Sequence, residues 1–334
     1  MSIFCCGQDG LRRNRFYNKA MNPEVISIGD ITIDFLISVP TYPKLGQDVD
    51  TLKLKMDLGG SAANFAVAIK RLGIRSGLIG KVGDDWFGDF AISELKKEGV
   101  EVGQVVVEKG ASSGMVVSVV DRKGERTMFS YRGANVRLKP NEIDSNYVRK
   151  AKLLHLSGYT LVQSPQREAG LKCAQLAKQS GILISFDPGP LIHLAKPAAI
   201  RRILRLTDVL LPNSGEVRSL SGHRNVSQCV ETLLNAGPKI VGLKLGKRGC
   251  LIAGGDVRIR IPAFEVKVVD TTGAGDAWGA GFVAALLREP TDLARAGKFA
   301  NAVAALAITK TGARASLPSR RKVEDFLAKH GNDV

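Results

Sequence analysis

The sequence contains no apolar stretch long enough to cross a bilayer. The longest uninterrupted apolar run near the C-terminus, residues 302–308, is far shorter than the roughly 20 residues that a membrane helix needs. Residues 1–22 carry four basic side chains but no apolar core after them, so they do not resemble a secretion signal. These absences predict a soluble, cytoplasmic protein with no membrane partner.

Cysteine and histidine are both scarce. The five cysteines are an odd number without regular spacing: Cys5 and Cys6 are adjacent, and the other three stand singly in apolar surroundings. This usage predicts free thiols in a reducing compartment. The four histidines show no metal-ligand spacing with any cysteine, which disfavours a zinc site and a histidine-based nucleophilic triad.

Acidic residues are outnumbered by basic ones. The chain has 32 Asp plus Glu against 48 Lys plus Arg, a net charge of +16, and such a surplus raises the local concentration of anions. Short basic clusters occur at 201–205 and 320–322, without the aromatic or zinc-binding patterns of nucleic-acid-binding modules. A solvated basic surface is therefore favoured over dedicated nucleic-acid binding.

Short apolar runs alternate with helical patterns along most of the 334 residues, 44% of which are hydrophobic. This alternation predicts βαβ crossovers and a mainly parallel sheet that is covered on both faces. The predicted strands cover 25–29, 77–82, 153–156, 182–186, 209–211 and 240–245, and the predicted helices cover 61–72, 86–97, 166–179, 198–206 and 228–235.

Two stretches interrupt this rhythm. Residues 48–58 alternate polar and apolar side chains, and residues 112–131 read as two strands joined by a turn at 121–125. Together they predict a small antiparallel sheet beside the main domain, which would shield a reactive site, form a dimer surface, or do both. The alternative is that they add edge strands to the main sheet.

The segment 266–287 is the most informative part of the chain. Its pattern predicts a strand that ends near Val269, a glycine-rich turn, and a helix that begins around Ala274. Gly273 and Gly275 allow a ligand to approach the backbone, and the N–H groups of a new helix favour an anion there. Asp276 is a poor phosphate anchor but is well placed as a general base for a hydroxyl that attacks phosphorus.

Dinucleotide binding, a P-loop and simple helix packing account less well for these glycines. A dinucleotide site would need G-x-G-x-x-G after the first strand, whereas the spacing here is G-x-G-x-x-x-G near residue 275. The P-loop pattern does not occur in the chain. Helix packing on glycine would explain neither Asp270 nor Asp276.

Two motifs in this order resemble the paired signatures of the ribokinase, or phosphofructokinase-B, family of carbohydrate kinases. They are L-G-G-S-A-A-N-F-A-V-A-I-K-R-L-G at 58–73 and D-T-T-G-A-G-D at 270–276. The resemblance implies a three-layer αβα kinase domain over 23–334, preceded by an N-terminal extension at 1–22. It also implies a β lid from about 41–57 and 104–132, through which a homodimer could form, and ATP-dependent phosphorylation of a sugar or similar alcohol.

The resemblance assigns roles around the glycine-rich turn. Asp276 corresponds to the family's catalytic base, which takes the proton of the acceptor hydroxyl. The family's anion hole corresponds to the N–H groups of Gly273, Ala274, Gly275 and Asp276. The implied substrate-binding positions are Asp34, Gly59, Gly60, Asn64 and Asp276.

Further roles for nucleotide and ions are implied by the same resemblance. ATP would be bound by Asn213, Lys244, Gly246, Gly249, Gly275 and Asn301, the last of these near adenine. Glu216 would act on Mg²⁺ through water. A K⁺ site would be formed around Asp270, Thr272, Ala307, Lys310, Gly312 and Ser316.

The acceptor is less well defined by the sequence. Ser61 replaces the lysine usual in ribokinases, and the run at 154–158 is closer to fructokinases and ketodeoxygluconate kinases, although 186–190 lacks the arginine of acid-sugar kinases. Nucleoside kinases remain an alternative, as does a kinase-like binding protein without catalysis, against which the intact Asp276 and Asn64 argue. The sequence predicts an ATP- and Mg²⁺-dependent kinase of a small polyhydroxylated substrate.

Overall fold

The computed structural model describes residues 22–330, whose strands form two separate sheets. The strands are β1 Val25–Ile28, β2 Thr32–Ser38, β3 Lys53–Gly59, β4 Ser76–Gly83, β5 Glu101–Glu108, β6 Gly114–Val120, β7 Arg126–Tyr131, β8 Leu153–Ser157, β9 Leu183–Asp187, β10 Val209–Leu210, β11 Ile240–Lys244, β12 Cys250–Gly254 and β13 Val257–Ile261. The α-helices are α1 Ser61–Arg71, α2 Trp86–Lys97, α3 Ser145–Val148, α4 Gln166–Gln179, α5 Pro197–Leu206, α6 Ser214–Ser221, α7 Val226–Asn235, α8 Ala274–Leu286, α9 Leu293–Ala307 and α10 Arg320–His330. The proposed N-terminal extension, with Cys5 and Cys6, lies outside the described residues except for Asn22.

The large sheet has nine strands in the order β13-β12-β11-β10-β9-β8-β1-β4-β5. From β5 to β11 every neighbouring pair is parallel, and β12 and β13 complete one edge as an antiparallel hairpin. The central strands β1, β4 and β8 are buried along their whole length, as expected for strands covered on both faces.

Helices cover both faces of this sheet and produce the three layers that the resemblance implies. Buried side chains of α1, α2, α8 and α9 form one apolar core with one face, and those of α4, α5 and α7 form a second core with the other. Cys173, Cys229 and Cys250 are buried free thiols in these cores, as predicted. Within residues 22–330 no helix combines the length and hydropathy that crossing a bilayer requires.

The small sheet has the order β3-β2-β6-β7 and is separate from the large one. Its outer pairs are antiparallel, its central pair β2–β6 is parallel, and the turn at 121–125 joins β6 to β7 as predicted. The lid strands differ from the proposed segments 41–57 and 104–132. Residues 104–108 pair with β4 in the large sheet, and β2, which lies outside the proposed segments, joins the small sheet between β3 and β6.

The predicted strand ending near Val269 is wrong. Residues 262–269 form no strand, and Val268 and Val269 are 57% and 51% exposed. The Val269 N–H donates to the Ile308 carbonyl (2.8 Å) in an isolated loop contact, not in a ladder. The apolar run therefore lies at the surface as a loop leading into α8.

The carboxyl ends of the parallel strands place polar residues along one edge of the large sheet. Asp30 follows β1, Tyr159 follows β8, Asp187 ends β9, Asn213 follows β10 and Lys244 ends β11. In open α/β sheets, ligands bind outside this edge. The small sheet and the start of α8 lie at the same end of the molecule.

Candidate active site

The start of α8 has the form of an anion hole. Gly273 adopts a left-handed conformation (φ 75°) just before the helix, and an added Cβ would lie 2.8 Å from that of Ala313. The Ala274 N–H donates to the Thr271 carbonyl (3.2 Å), so it is already used. Gly275 and Asp276 follow in the first turn, where helix geometry provides no carbonyl partner for the N–H groups.

Asp276 is held by two donors from the first turn of α1. Ser61 Oγ donates to Oδ1 (2.7 Å) and Asn64 Nδ2 donates to Oδ2 (2.9 Å). Burial raises the pKa of Asp276 to about 6, with a contribution from the charge of Asp187, while Asn64, Ser61 and Lys244 oppose the rise. A carboxylate with a pKa just below neutrality suits general base catalysis.

Lys244 brings a positive charge to the anion hole. Its Nζ donates to Asp187 Oδ2 (2.5 Å), and a Cβ on Gly275 would lie 3.6 Å from the same Nζ. Gly275 therefore leaves room between the ammonium and the helix start. Asp187 was not among the predicted site residues, although its position at the end of a parallel strand is a signal that could have identified it.

Asn213 and Glu216 form a reciprocal cap at the start of α6. Glu216 accepts hydrogen bonds from Asn213 N (2.8 Å) and Asn213 Nδ2 (2.7 Å), and Asn213 Oδ1 accepts from the N–H of Glu216 (3.0 Å). Burial raises the pKa of Glu216 to about 7, opposed by Lys244 and reinforced by Asp187. The cap fixes the Glu216 carboxylate beside the Lys244 ammonium.

The carboxylates near Lys244 are suited to a hard cation that is already bound to a nucleotide. Within residues 22–330 no group of three or more His, Cys, Asp or Glu side chains could hold a metal ion. Asp187 accepts from the Lys244 ammonium, and the charges of Glu216 and Asp276 also act on it, so three carboxylates share this part of the site. Carboxylate oxygens are the ligands that Mg²⁺ prefers. The residues present therefore fit a Mg²⁺ ion carried by a nucleotide and contacted through its waters.

The two glycines before α1 are required by the close approach of other groups. A Cβ on Gly59 would lie 2.1 Å from Asp34 Oδ2, and one on Gly60 (φ 94°) would lie 2.3 Å from the Asp30 carbonyl oxygen. Asp34 accepts a hydrogen bond from Thr32 Oγ1 (2.7 Å), and burial raises its pKa to about 6. Asp34 lines a cavity of about 60 Å³ between the lid and the loops at 270–272 and 312–313.

A second polar cluster near Asp276 was not predicted from the sequence. Arg132 donates from Nε and Nη2 to the two oxygens of Asp30 (2.7 and 2.8 Å) and from Nη2 to the carbonyl of Tyr159 (2.9 Å). Gln166 donates to the same Asp30 carboxylate (2.7 Å). Burial raises the pKa of Tyr159 to about 12, and the charges of Asp276 and Asp30 contribute to the rise.

The two loops proposed to bind K⁺ contact each other, but not every residue proposed as a ligand lies at that contact. Asp270 accepts from the Thr272 N–H (2.9 Å) and from the Gly312 N–H (2.8 Å). Ser316 Oγ donates to the Ala307 carbonyl and approaches that of Gly312 (3.4 Å). Lys310 is exposed.

Asn301 is not placed as predicted. Its Oδ1 accepts from Trp278 Nε1 (2.8 Å), and its Nδ2 donates to the carbonyls of Ile261 (3.2 Å) and Pro262 (2.9 Å). The side chain is buried and joins α8 and α9 to the segment after β13. All of its polar atoms serve the core, so it does not present a donor to adenine. Of the other predicted nucleotide residues, Gly246 and Gly249 lie in the loop after Lys244.

Comparisons with known proteins agree with this geometry. The sequence profile described as "pfkB family carbohydrate kinase" matches residues 22–320. Fructokinase-1 of Zea mays is 32% identical over 319 residues, which cover 91% of this chain and 98% of that protein. A solved E. coli structure in complex with ATP and Mg²⁺ matches with a TM-score of 0.80 and 28% identity over 92% of this chain and 100% of that chain. Arabidopsis thaliana ribokinase complexed with ribose and ATP matches with a TM-score of 0.81 and 25% identity over 92% of this chain and 99% of that chain.

Proposed function

The chain belongs to the pfkB family of carbohydrate kinases, and from this membership we propose that it phosphorylates a ketohexose such as fructose at a hydroxyl group. It is an ATP-dependent sugar kinase. Fructose is the first acceptor to test because curated relatives with 32–33% identity over 91% of the chain are named fructokinases. The run at 154–158 supports the same choice.

The observation that carries the mechanism is the Asp276 carboxylate at the start of α8. In the proposed reaction, Asp276 takes the proton of the acceptor hydroxyl while the oxygen of that hydroxyl attacks the γ-phosphorus of ATP. The new O–P bond forms as the bond to the β,γ-bridging oxygen breaks, and ADP leaves. The N–H groups at the start of α8 and the Lys244 ammonium face the negative charge on the transferred group.

Mg²⁺ would neutralise part of the charge of the triphosphate. Glu216 is the residue that we place toward it, through water, because Asn213 fixes the carboxylate in the site and the Lys244 ammonium favours its ionised form. Asp34 and Asn64 are proposed to bind the sugar. Asn64 lies beside the base, whereas Asp34 would act from the lid.

A screen for ADP release across pentoses, hexoses, keto-acid sugars and nucleosides tests this function. We expect ADP with fructose, and we expect Asp276→Asn to bind nucleotide normally while kcat falls by roughly 10²–10⁴-fold. Asp89→Asn, an exposed acid in the first turn of α2, is the matched control. ADP from nucleosides alone would contradict the substrate assignment, and near-normal kcat in Asp276→Asn would contradict the role of the base.

Activation by K⁺ and dimerisation through the lid are further proposals. Asp270, Gly312 and Ser316 bring oxygen atoms of two loops together next to the anion hole, and a cation there would strengthen its field. Comparing rates in KCl with rates in tetramethylammonium chloride tests this site. Cytoplasmic residence, the absence of nucleic-acid binding and the division at residue 23 stay predictions.

A further inference from the structure

A buried arginine joins the base of the lid to the loop between α9 and α10. Arg314 belongs to this loop, and its Nη2 donates to Oδ1 of Asp57 in β3 (2.5 Å). Its Nε donates to the carbonyl of the next residue, Leu58 (3.2 Å). The arginine therefore holds two consecutive residues of a lid strand, one by its side chain and one by its backbone.

The segment that Arg314 holds borders the Asp34 carboxylate. Asp57 pairs directly with Asp34 in the antiparallel ladder of β2 and β3, so both side chains lie on one face, and both line the cavity of about 60 Å³. Gly59 follows Leu58 and leaves room for Asp34, since a Cβ there would lie 2.1 Å from its Oδ2. A displacement of residues 57–59 would therefore displace the Asp34 carboxylate.

Two carboxylates that face each other across a strand pair repel unless a cation compensates them. Burial raises the pKa of Asp34 to about 6; the charge of Asp57 adds to this rise and the charge of Arg314 opposes it. Lys55 also pairs with Asp57 (3.1 Å), but its side chain is 35% exposed against 7% for Arg314, so solvent screens it more. The buried guanidinium is the stronger compensation for the Asp57 charge.

The other acidic neighbours of Arg314 have cations of their own. Glu94 Oε2 lies 3.4 Å from Nη2, and Glu98 Oε1, at the end of α2, lies 3.8 Å from Nη1. Glu94 also pairs with Lys97 (2.8 Å), and Glu98 with Arg71 (2.6 Å). The short contact with the lid carboxylate is therefore the one that depends most on this arginine.

The residues just before Arg314 contact the anion hole. The Gly312 N–H donates to Asp270 Oδ2 (2.8 Å), and Ala313 lies against Gly273, the residue that precedes α8. Three consecutive residues thus contact the phosphate end of the site and the base of the lid. An experiment on Arg314 must therefore separate an effect on the acceptor from an effect on the phosphate.

We propose that Arg314 is a positioning residue for the acceptor: it neutralises Asp57 and thereby keeps the Asp34 carboxylate directed at the acceptor hydroxyls. The inference rests on the proposed kinase function, in which Asp34 binds the sugar, and adds a residue that acts through Asp57. Without the guanidinium, the Asp57 charge faces Asp34 uncompensated and pushes the carboxylate out of place.

Steady-state kinetics of the full-length protein with an accepted sugar test this role. For Arg314→Gln we expect the KM of the acceptor to rise about 10- to 100-fold, as loss of a charged hydrogen bond implies, while kcat and the KM for ATP change less than about threefold. Arg314→Lys keeps the charge without the planar fork, so its acceptor KM should lie between. Asp57→Asn/Arg314→Gln removes both charges and should return the acceptor KM to within about threefold of wild type.

Arg258→Gln is the matched control, because it removes an arginine–glutamate pair between β13 and α7 (Arg258 Nε to Glu231 Oε1, 2.9 Å). Both of its KM values should equal those of the wild type. Equal rises in both KM values of Arg314→Gln, or an unchanged acceptor KM, would overturn the proposal. Should Arg314→Gln fail to fold, a double variant with a normal acceptor KM supports the proposal, and one with a raised acceptor KM contradicts it.

Urea unfolding tests the link between Arg314 and Asp34 without any acceptor. Arg314→Gln should lower the urea midpoint by about 1 M, because it leaves the Asp57 carboxylate uncompensated. In Asp34→Asn, where no second carboxylate faces Asp57, the same replacement should cause at most about half of this shift. Equal shifts in both backgrounds would overturn the proposal. A wild type that phosphorylates no acceptor would contradict the kinase assignment, whereas this comparison would still test Arg314.

Discussion

Asp276 determines the pH at which we expect catalysis to fail. Burial raises the pKa of Asp276 to about 6, and a general base works only when it is deprotonated. We therefore expect kcat/KM for the accepted sugar to be constant above pH 7 and to fall tenfold per pH unit well below pH 6. A profile that stays flat down to pH 4.5 would contradict the assignment of Asp276 as the base.

Ser61 should tune that profile through its hydrogen bond to the base. The hydroxyl lowers the pKa of Asp276 by donating to its Oδ1 (2.7 Å), against the larger effect of burial. Ser61→Ala removes this donor, so we expect the acid limb of kcat/KM to move to higher pH by about one to two units. Ser227→Ala, in the first turn of α7, should leave the profile in place. A lower rate at every pH without a shifted limb would mean that Ser61 only packs against the helix.

We expect the ionised Asp276 to lower the free energy of unfolding at the pH values where it acts as a base. Its pKa in the folded protein is about 6 against an ordinary 3.8, so the folded state binds more protons between these values and stability falls as pH rises from about 4 to 6. Above pH 6 the cost is about 2–3 kcal/mol. Asp276→Asn should therefore raise Tm relative to wild type at pH 8, with the difference shrinking toward pH 4. Calorimetry at both pH values checks the sign, and a Tm that falls at pH 8 would contradict it.

Asn301 links α8 and α9 to the segment after β13, and its replacement can distinguish a structural role from a role in nucleotide binding. Asn301→Ala leaves the Trp278 indole N–H and the Ile261 and Pro262 carbonyls without their partner in the core. We expect a loss of about 1–3 kcal/mol in the free energy of unfolding, with the KM for ATP unchanged in the protein that remains folded. Urea unfolding and ATP kinetics measure the two effects. A raised KM for ATP with unchanged stability would instead support the contact with adenine that the sequence predicts.

Elements with local start and stop signals were predictable from the sequence. Helix α2 has the predicted bounds, because Asp85 caps it by accepting from the Gly88 N–H (2.8 Å) and Gly99 follows its end with φ 75°. Residues 266–269 have an apolar pattern as well, but they pair with no strand, and Val268 and Val269 are exposed. Whether such a run becomes a strand depends on tertiary neighbours, which the pattern does not contain.

The residues of the candidate site also differ in whether the sequence alone could identify them. Asp276 and its glycines were predictable because one short motif carries the turn, the helix start and the base. The pairs Lys244–Asp187 and Arg132–Asp30 were not, because their members are 57 and 102 residues apart and meet only in the folded chain. The carboxyl ends of β9 and β11 bring Asp187 to Lys244, whereas Arg132 reaches Asp30 from the end of the lid strand β7. Asn301 shows the opposite error: its position fits a ligand contact, but its partners lie within the core.

At the scale of the whole molecule, the outer face of the lid is unusually apolar for a protein surface. Strand register places Phe129 and Tyr131 on the same face as Phe35 and Met115, which are partly buried against the main core. Phe129 and Tyr131 are 57% and 52% exposed, and Leu54 on the far edge strand is 61% exposed. Contiguous apolar patches on monomeric proteins usually mark an interaction surface. A second copy, related by a twofold axis, would cover the patch with the same residues.

We therefore expect the wild type to sediment at twice the 35.8 kDa mass of the protomer at micromolar concentration. Phe129→Glu places a charge in the middle of this face, so it should shift the protein to the monomer, because burying an unpaired carboxylate in an apolar interface is strongly unfavourable. Val257→Glu is the control: Val257 is a partly exposed apolar residue on the edge strand β13 of the large sheet, and its replacement should leave the dimer intact. A wild type that sediments as a monomer, or a Phe129→Glu variant that remains dimeric, would contradict association through the lid.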